Sequence, residues 1–309
     1  MDDMIKYALT LYGIEPSEHE EINDHCFKIT DKTGCKFILK IYNKANDYDI
    51  IKGARLYHTR EQLQTEAEIL LALSATILKT PSPVKNNNNN FVSEIGTDTD
   101  GEPVYAMLTS YVDGLVLGQE DKLTDDLAFI SGECAARFHL ESEENLLPLA
   151  VKRPHKRQDY VKQIQERLSA GTVNGVLTDG QYDIIKKCCA AVIECMDRLD
   201  SDPKRNVGLV HTDIRNTNII YRQKNGTLID FSRSAYSYYL YDLAEMSLHG
   251  SFGGANRSFQ KEILRGYHSV KPLTEYDIYA TQTLFAMFIL MVMAEVLTIY
   301  TMNGLKIWR

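Results

Sequence analysis

"LVHTDIRNTNIIYRQKNGTLIDFSRS", residues 209–234, decides the reading of this chain. Apolar strands frame it, and between them stand His211, Asp213, Arg215, Asn216 and Asn218, more short polar side chains than a turn requires. Asn225-Gly226 is a strong two-residue hairpin signal between apolar strands. As a two-residue loop it pairs Lys224 with Thr227 and, counting outward, Tyr221 with Asp230, which returns Asp230 to the neighbourhood of Asn218. Asp213, Asn218 and Asp230 then make one cluster of two carboxylates and an amide oxygen. Hard oxygen ligands suit Mg²⁺, which keeps waters and shares its shell with substrate phosphates. A carboxylate set slightly apart can accept the proton of an attacking hydroxyl. The trio therefore reads as a base (Asp213) and two metal ligands (Asn218, Asp230) for phosphoryl transfer. One Asp or Asn in such a connection often only caps a turn. The joint spacing H-x-D-x-x-x-x-N, a hairpin, then apolar-Asp-Phe is what argues for chemistry.

The surroundings are those of an ordinary soluble enzyme. With 309 residues there is ample core for two modest domains or one large one. A formal net charge of −8 argues against nucleic acid or an anionic membrane as partner. The six cysteines form no C-x-x-C pair, so reduced, buried thiols in a cytoplasmic chain are expected. "MDDMIKYALTLYG" begins acidic and lacks the charge pattern of a signal peptide. The run "TLFAMFILMVMAEVLTIYTM", 283–302, approaches membrane-spanning length, but Glu295 interrupts it, and it reads as a buried C-terminal helix.

Residues before 110 have a β flavour. Cys26–Thr30 and Cys35–Tyr42 read as strands around "DKTG", and "FVSEIG" and "VYAMLTSYV" as a second hairpin around "TDTDGEP". Between them, Leu63, Ala67, Leu70, Leu71 and Ser74 have helical spacing. "KNNNNNF" reads as a surface loop. After Gly114 helical patterns dominate, at about 123–143, 155–171, 179–201, 258–268 and 275–302, with 207–231 the one β island. The expected class is α+β: a small β-rich N-terminal lobe (1–109), a hinge (110–114) and a larger, mostly helical C-terminal lobe (115–309). A ligand site is expected where two such parts join.

H-x-D-x-x-x-x-N followed by I-D-F resembles the catalytic and metal loops of the two-lobed protein-kinase-like fold. The small residue after His211, with "YLYDLAEM" at 239–246, is more similar to the aminoglycoside phosphotransferase and choline kinase superfamily. "LIDFSRSAYSYYLYDLA", 228–244, resembles its bacterial homoserine-kinase-like and spore-coat-type branch. The resemblance implies a small-molecule kinase that uses ATP or GTP with Mg²⁺ and phosphorylates a hydroxyl of an aminoglycoside-type or other amino alcohol or sugar. It implies Asp213 as base, Asn218 and Asp230 as metal ligands, and His211 as a brace. Asp242 would fix the loop or cap a helix. Lys40 in "KFILKIY" would meet the α- and β-phosphates and be held by Glu66 of "LQTEAEILLAL", leaving Glu68 on a solvated face. Asn23 to Cys26 would cover the phosphates. Ile29, Ile38, Met107, Ile220 and Ile229 would line the adenine slot, and Ser110 and Val112 would offer it backbone hydrogen bonds. Arg215 and Asn216 receive no role. "KRPHKRQDY", 152–160, suits an anionic group on the acceptor or a solvated helix start equally well. A bacterial stress-response Ser/Thr protein kinase shares every motif, and an inactive nucleotide-binding scaffold is the rival outside the enzymes, although a scaffold needs no base. Oligomeric state is not legible.

Overall fold

The computed structural model describes residues 2–23, 25–42, 48–49, 51, 54–55, 58–118, 123–248 and 257–302. They fall into two units, one within Met1–Asn46 and Arg55–Gly114, the other within Asp47–Ala54 and Leu115–Arg309.

In the N-terminal unit, β1 (Pro16–Asn23), β2 (Cys26–Asp31), β3 (Lys36–Tyr42), β6 (Val92–Thr97) and β7 (Pro103–Ser110) form an antiparallel sheet in the order β1-β2-β3-β7-β6. Strand alternation gives it two faces. Phe27, Ile29, Leu39, Ile41, Val104, Ala106 and Leu108 share one of them. That face is covered by α1 (Asp2–Leu11), whose Ile5, Ala8 and Leu9 recur at helical spacing, followed by Tyr12. The opposite face carries Lys40, which pairs with Met107 across β3 and β7, and Ile38, which pairs with Thr109. Between β3 and α2 the chain holds a two-stranded ribbon, β4 (Tyr48–Asp49) and β5 (Ala54–Arg55). Helix α2 (Arg60–Ser74) opens with a capping box between Thr59 and Gln62. Its buried stripe is Leu63, Glu66, Ala67, Leu70 and Leu73, while Leu71 points to solvent at 44% exposure. The asparagine run is an ordered turn: Asn86 Oδ1 accepts from the amides of Asn88 and Asn90.

The C-terminal unit begins with β8 (Leu115–Val116) and α3 (Asp125–Glu141), which runs through a π-helical turn into α4 (Leu147–Ala150). Helices α5 (Gln158–Val173), α6 (Asp179–Leu199) and α7 (Pro203–Asn206) lead to β9 (Val207–Val210). There follow β10 (Ile219–Arg222), β11 (Asn225–Leu228), β12 (Ala235–Tyr238), α8 (Tyr239–Leu248), α9 (Arg257–Val270) and α10 (Glu275–Met302). Helices α3 and α9 touch backbone to backbone at two glycines. A Cβ on Gly132 would lie 2.0 Å from Ile263 O, and one on Gly266 2.0 Å from Phe129 O. By length and composition α10 is apolar enough to cross a membrane; here it packs on α8, α6 and α5. It is not a wholly buried helix: Leu284, Met287, Leu290 and Ala294 are buried, but Ile289 and Val296 are exposed. All six cysteines are free thiols.

The β segments of this unit extend beyond 207–231, because β8 pairs with β10 and β12 pairs with β9. The hairpin register also differs from the expected one. Arg222 pairs with Asn225 and Tyr221 with Gly226, so the loop is Gln223-Lys224, with Gln223 at a φ of 52°. Gly226 lies inside β11, where a Cβ would press within 3.1 Å of Cys134 Cβ on α3. Close packing on a helix, not a turn, is what requires glycine there.

Candidate active site

Strand β9 delivers the chain into the loop 211–218 through Thr212, whose φ of 57° places a β-branched residue in the left-handed region. Three contacts hold it there. Its amide donates to Asp242 Oδ1 at 2.7 Å, its hydroxyl donates to Arg233 O at 2.7 Å, and Lys156 Nζ donates to that hydroxyl at 3.1 Å. Asp242, fully buried on α8, also accepts from His211 N at 2.7 Å and from His139 Nε2 at 3.1 Å. Tyr267 OH donates to the other ring nitrogen of His139, and burial lowers the pKa of that imidazole, which keeps it neutral. His211 Nε2 donates to Ile229 O at 2.9 Å, and its ring packs on Phe231, so the loop before Asp213 is tied to the segments on both sides of Asp230.

Asp213 follows, 6% exposed. Arg215 Nε donates to its Oδ1 at 2.6 Å and Asn218 Nδ2 to its Oδ2 at 3.1 Å, so the carboxylate is fixed from both sides. With its nitrogen turned to Asp213, Asn218 has its oxygen left as an acceptor. Ile229 N donates to Asn218 O at 3.0 Å, which sets Asn218 beside the residue preceding Asp230. Asp230 is itself left-handed (φ 62°), and its carboxylate accepts from Ser232 Oγ at 2.6 Å. An amide oxygen on Asn218 and a carboxylate on Asp230, the residue after Asn218's backbone partner Ile229, are the hard donor types that Mg²⁺ takes, so the residues present fit a divalent ion.

The basic stretch 152–160 is neither a solvated helix start nor a free anion trap. Arg153 is buried, donating to the carbonyls of Ser234 (3.0 Å), Phe231 (3.2 Å) and Ser232 (2.6 Å). It clamps the loop that carries Asp230. Lys156 reaches Thr212, and burial lowers its pKa to about 8. Arg157 pairs with Asp200. Glu245, one helical turn after Asp242 and 3% exposed, completes the group. Burial first, then the charges of Asp213 and Asp242, push its carboxyl up to about 8.

A family model described as the phosphotransferase enzyme family matches residues 13–280. The chain belongs to that family. No curated protein gives a significant sequence match to this phosphotransferase. Among solved structures it is similar to an amicoumacin kinase in complex with AMP-PNP, Ca²⁺ and Ami (17% identity, TM-score 0.68, 99% of this chain and 87% of the other). It is also similar to a microcompartment-associated aminopropanol kinase (18%, TM-score 0.64, 98% and 95%) and to Plasmodium vivax ethanolamine kinase (16%, TM-score 0.59, 94% and 78%). The fold of the phosphotransferase is the α+β, kinase-like fold of these proteins.

Of the residues expected at the site, Asp213 and Asn218 are in contact, and Asn218 pairs through its backbone with Ile229, the residue before Asp230. Ile220 and Ile229 share a strand-parity face with Asn218 on the β10–β11 hairpin. In the N-terminal unit, Lys40, Ile38 and Met107 share a sheet face, and Glu66 is buried on α2. Glu68 is half-buried and accepts from Gln64. Ile29 does not belong with Lys40. It pairs with Phe37 and is sealed in the core under α1, on the opposite sheet face, because side chains alternate along a strand. The Ser110 amide donates to Ser82 O, so only its carbonyl is left for a base, while Val112 lies half-buried just beyond β7. Of Asn23 to Cys26, Asp24 lies outside the described residues; Asn23 ends β1 and His25 is left-handed (φ 65°). Sequence reasoning missed Arg153 and Lys156 as braces and left Arg215 without a role. The contacts of the first two span 56–81 residues, and no local pattern signals them.

Proposed function

We propose that this phosphotransferase moves the γ-phosphate of ATP or GTP to a hydroxyl of a small amine-bearing molecule, an amino alcohol, amino sugar or aminoglycoside. The observation that carries this reading is the Asp213 carboxylate, held by Arg215 and by Asn218, whose backbone pairs with Ile229, the residue before Asp230. The names of the similar structures, kinases of amicoumacin, aminopropanol and ethanolamine, support an amine-bearing acceptor.

Asp213 accepts a hydrogen bond from the acceptor hydroxyl, aims its oxygen at the γ-phosphorus, and takes the proton as the new O–P bond forms and the bond to the β–γ bridging oxygen breaks. Arg215 and Asn218 keep the carboxylate in that orientation, and such positioning supplies much of the rate enhancement in phosphoryl transfer. Asn218 and Asp230 would hold a Mg²⁺ ion, which supplies neutralisation of phosphate charge. Lys40, braced by Glu66, meets the α- and β-phosphates. For the base, the residues assigned are Ile38 and Met107, with the backbone of Ser110 and Val112, in the N-terminal unit, and Ile220 and Ile229 in the C-terminal unit. We assign 1–109 as the nucleotide lobe, 110–114 as hinge and 115–309 as the acceptor lobe; a division of the chain after Gly114 supports the last boundary.

The test is ADP release with Mg²⁺ and ATP or GTP, screened over aminoglycosides, amino alcohols, amino sugars, homoserine, choline and casein, for wild type and Asp213→Ala. Acceptor-dependent turnover lost in Asp213→Ala is the expected result. Casein as sole acceptor would make the chain a protein kinase. Nucleotide binding without transfer to any acceptor, or an Asp213→Ala variant as active as wild type, would overturn the mechanism.

A further inference from the structure

Among the described residues, three of the charged groups around Thr212 have a visible duty. Asp213 is held by Arg215 and Asn218, Asp242 caps two backbone amides and His139, and Lys156 donates to Thr212. Glu245 lies on α8 three residues after Asp242, hence on the same helix face, the face turned to the catalytic loop. It is 97% buried by exposure of 3%, and its Oε2 has no hydrogen-bond partner among the described residues. The largest charge acting on it is that of Asp213, followed by Asp242, with Lys156 and Arg233 opposing; the Tyr241 hydroxyl also feels its charge. A buried carboxyl oxygen with no partner costs free energy unless something satisfies it.

Resting on the proposed function, we infer that Glu245 is the recognition residue for the acceptor's ammonium group. A protonated amine borne near the reacting hydroxyl donates to Glu245 while the hydroxyl faces Asp213. The two carboxylates thereby read an amine and an alcohol as a pair. This explains why an acid with one unpartnered oxygen is tolerated one turn from Asp242: the ligand completes it. In the free protein the partner is Glu245's own proton, since burial and the neighbouring carboxylates raise its pKa to about 8. Binding an ammonium ion displaces that proton to solvent, because the cation now balances the charge. The bound amine keeps all its protons, and one proton leaves per amine bound.

Proton release is measurable without turnover. Isothermal titration at pH 7 in buffers of different ionisation enthalpy, with 2-aminoethanol, glucosamine and 2-deoxystreptamine as probes, should show amine binding with release approaching one proton. Ethylene glycol, glucose and an amine-free cyclitol, their counterparts, should bind at least tenfold more weakly and release none. Glu245→Gln, which keeps shape and removes charge, should lose the preference and the proton release; Glu245→Asp, which restores the charge on a shorter arm, should recover part of both. Absence of amine-dependent proton release in all three pairs, or its persistence in Glu245→Gln, overturns the assignment. Its failure is separable from failure of the proposed function. Acceptor turnover indifferent to the amine removes only the role of Glu245, whereas amine-coupled proton release without phosphoryl transfer leaves Glu245 standing and removes the kinase reading.

Discussion

Replacing Glu245 by glutamine should make the protein more resistant to unfolding as the pH rises, and the size of the effect follows from the carboxyl's surroundings. An ordinary glutamate titrates near 4.5, and burial with Asp213 and Asp242 raises Glu245 to about 8. Between those two values the unfolded chain has released the proton while the folded chain retains it. A rise in pH therefore favours unfolding, by about 1.4 kcal/mol for each pH unit. Below pH 4.5 the group is protonated in both states and its stabilising contribution is complete; that contribution is lost as the pH climbs through 8. From pH 5 to pH 8 the loss accumulates to about 4 kcal/mol. Lys156, lowered to about 8, and His139, lowered by burial, act in the opposite sense, but wild type and variant share both, so the difference between their curves isolates Glu245. Glutamine does not titrate, and at pH 5 it differs little in charge from the protonated acid. Denaturant melts of wild type and Glu245→Gln, followed by circular dichroism at half-unit steps from pH 5 to 8, should show curves that diverge in favour of the variant. Parallel curves across that range would refute the reasoning, because they would mean that the carboxyl ionises as readily in the fold as outside it.

Asp213→Asn keeps the contact with Asn218 in shape but removes the proton acceptor, and kcat should fall by about 10²- to 10⁴-fold with little change in KM for ATP, read by coupled ADP release. Asp242→Ala strands two buried backbone amides, those of His211 and Thr212, and should cost about 2–6 kcal/mol in denaturant unfolding. Gly132→Ala forces a Cβ to within 2.0 Å of Ile263 O and must part α3 from α9. It should cost about 3 kcal/mol or more, whereas Gly180→Ala, with nothing within 4 Å, should gain up to about 1 kcal/mol in the same melts.

What the sequence disclosed and what it hid divide along physical lines. The hairpin, the two carboxylates and Asn218 were legible because strand pairing and a fixed short spacing act locally. The register was misjudged because Asn225-Gly226 carries a turn signature while Gly226 serves contact with Cys134, a partner remote in sequence. Helix α1 went unread although Ile5, Ala8, Leu9 and Tyr12 bear the helical period. Ile29 was assigned to the wrong sheet face because parity is informative only once the register against Lys40 is known. Arg153 and Lys156 were the least legible. Their targets, the carbonyls of 231–234 and the hydroxyl of Thr212, depend on tertiary folding alone.

The clamp of Arg153 on the segment after Asp230 has a consequence for the placement of Asp230. Its donors meet the carbonyls of Phe231, Ser232 and Ser234 inside the protein, where water cannot replace them. Swinging that segment away would strand a buried guanidinium and cost several kcal/mol, each such bond being worth about 1.5–3 kcal/mol. At about 4 kcal/mol the displaced arrangement occupies roughly one molecule in a thousand. The segment after Asp230 is thus pinned by Arg153, a residue almost eighty positions away in sequence, and Asp230 inherits its place from that clamp.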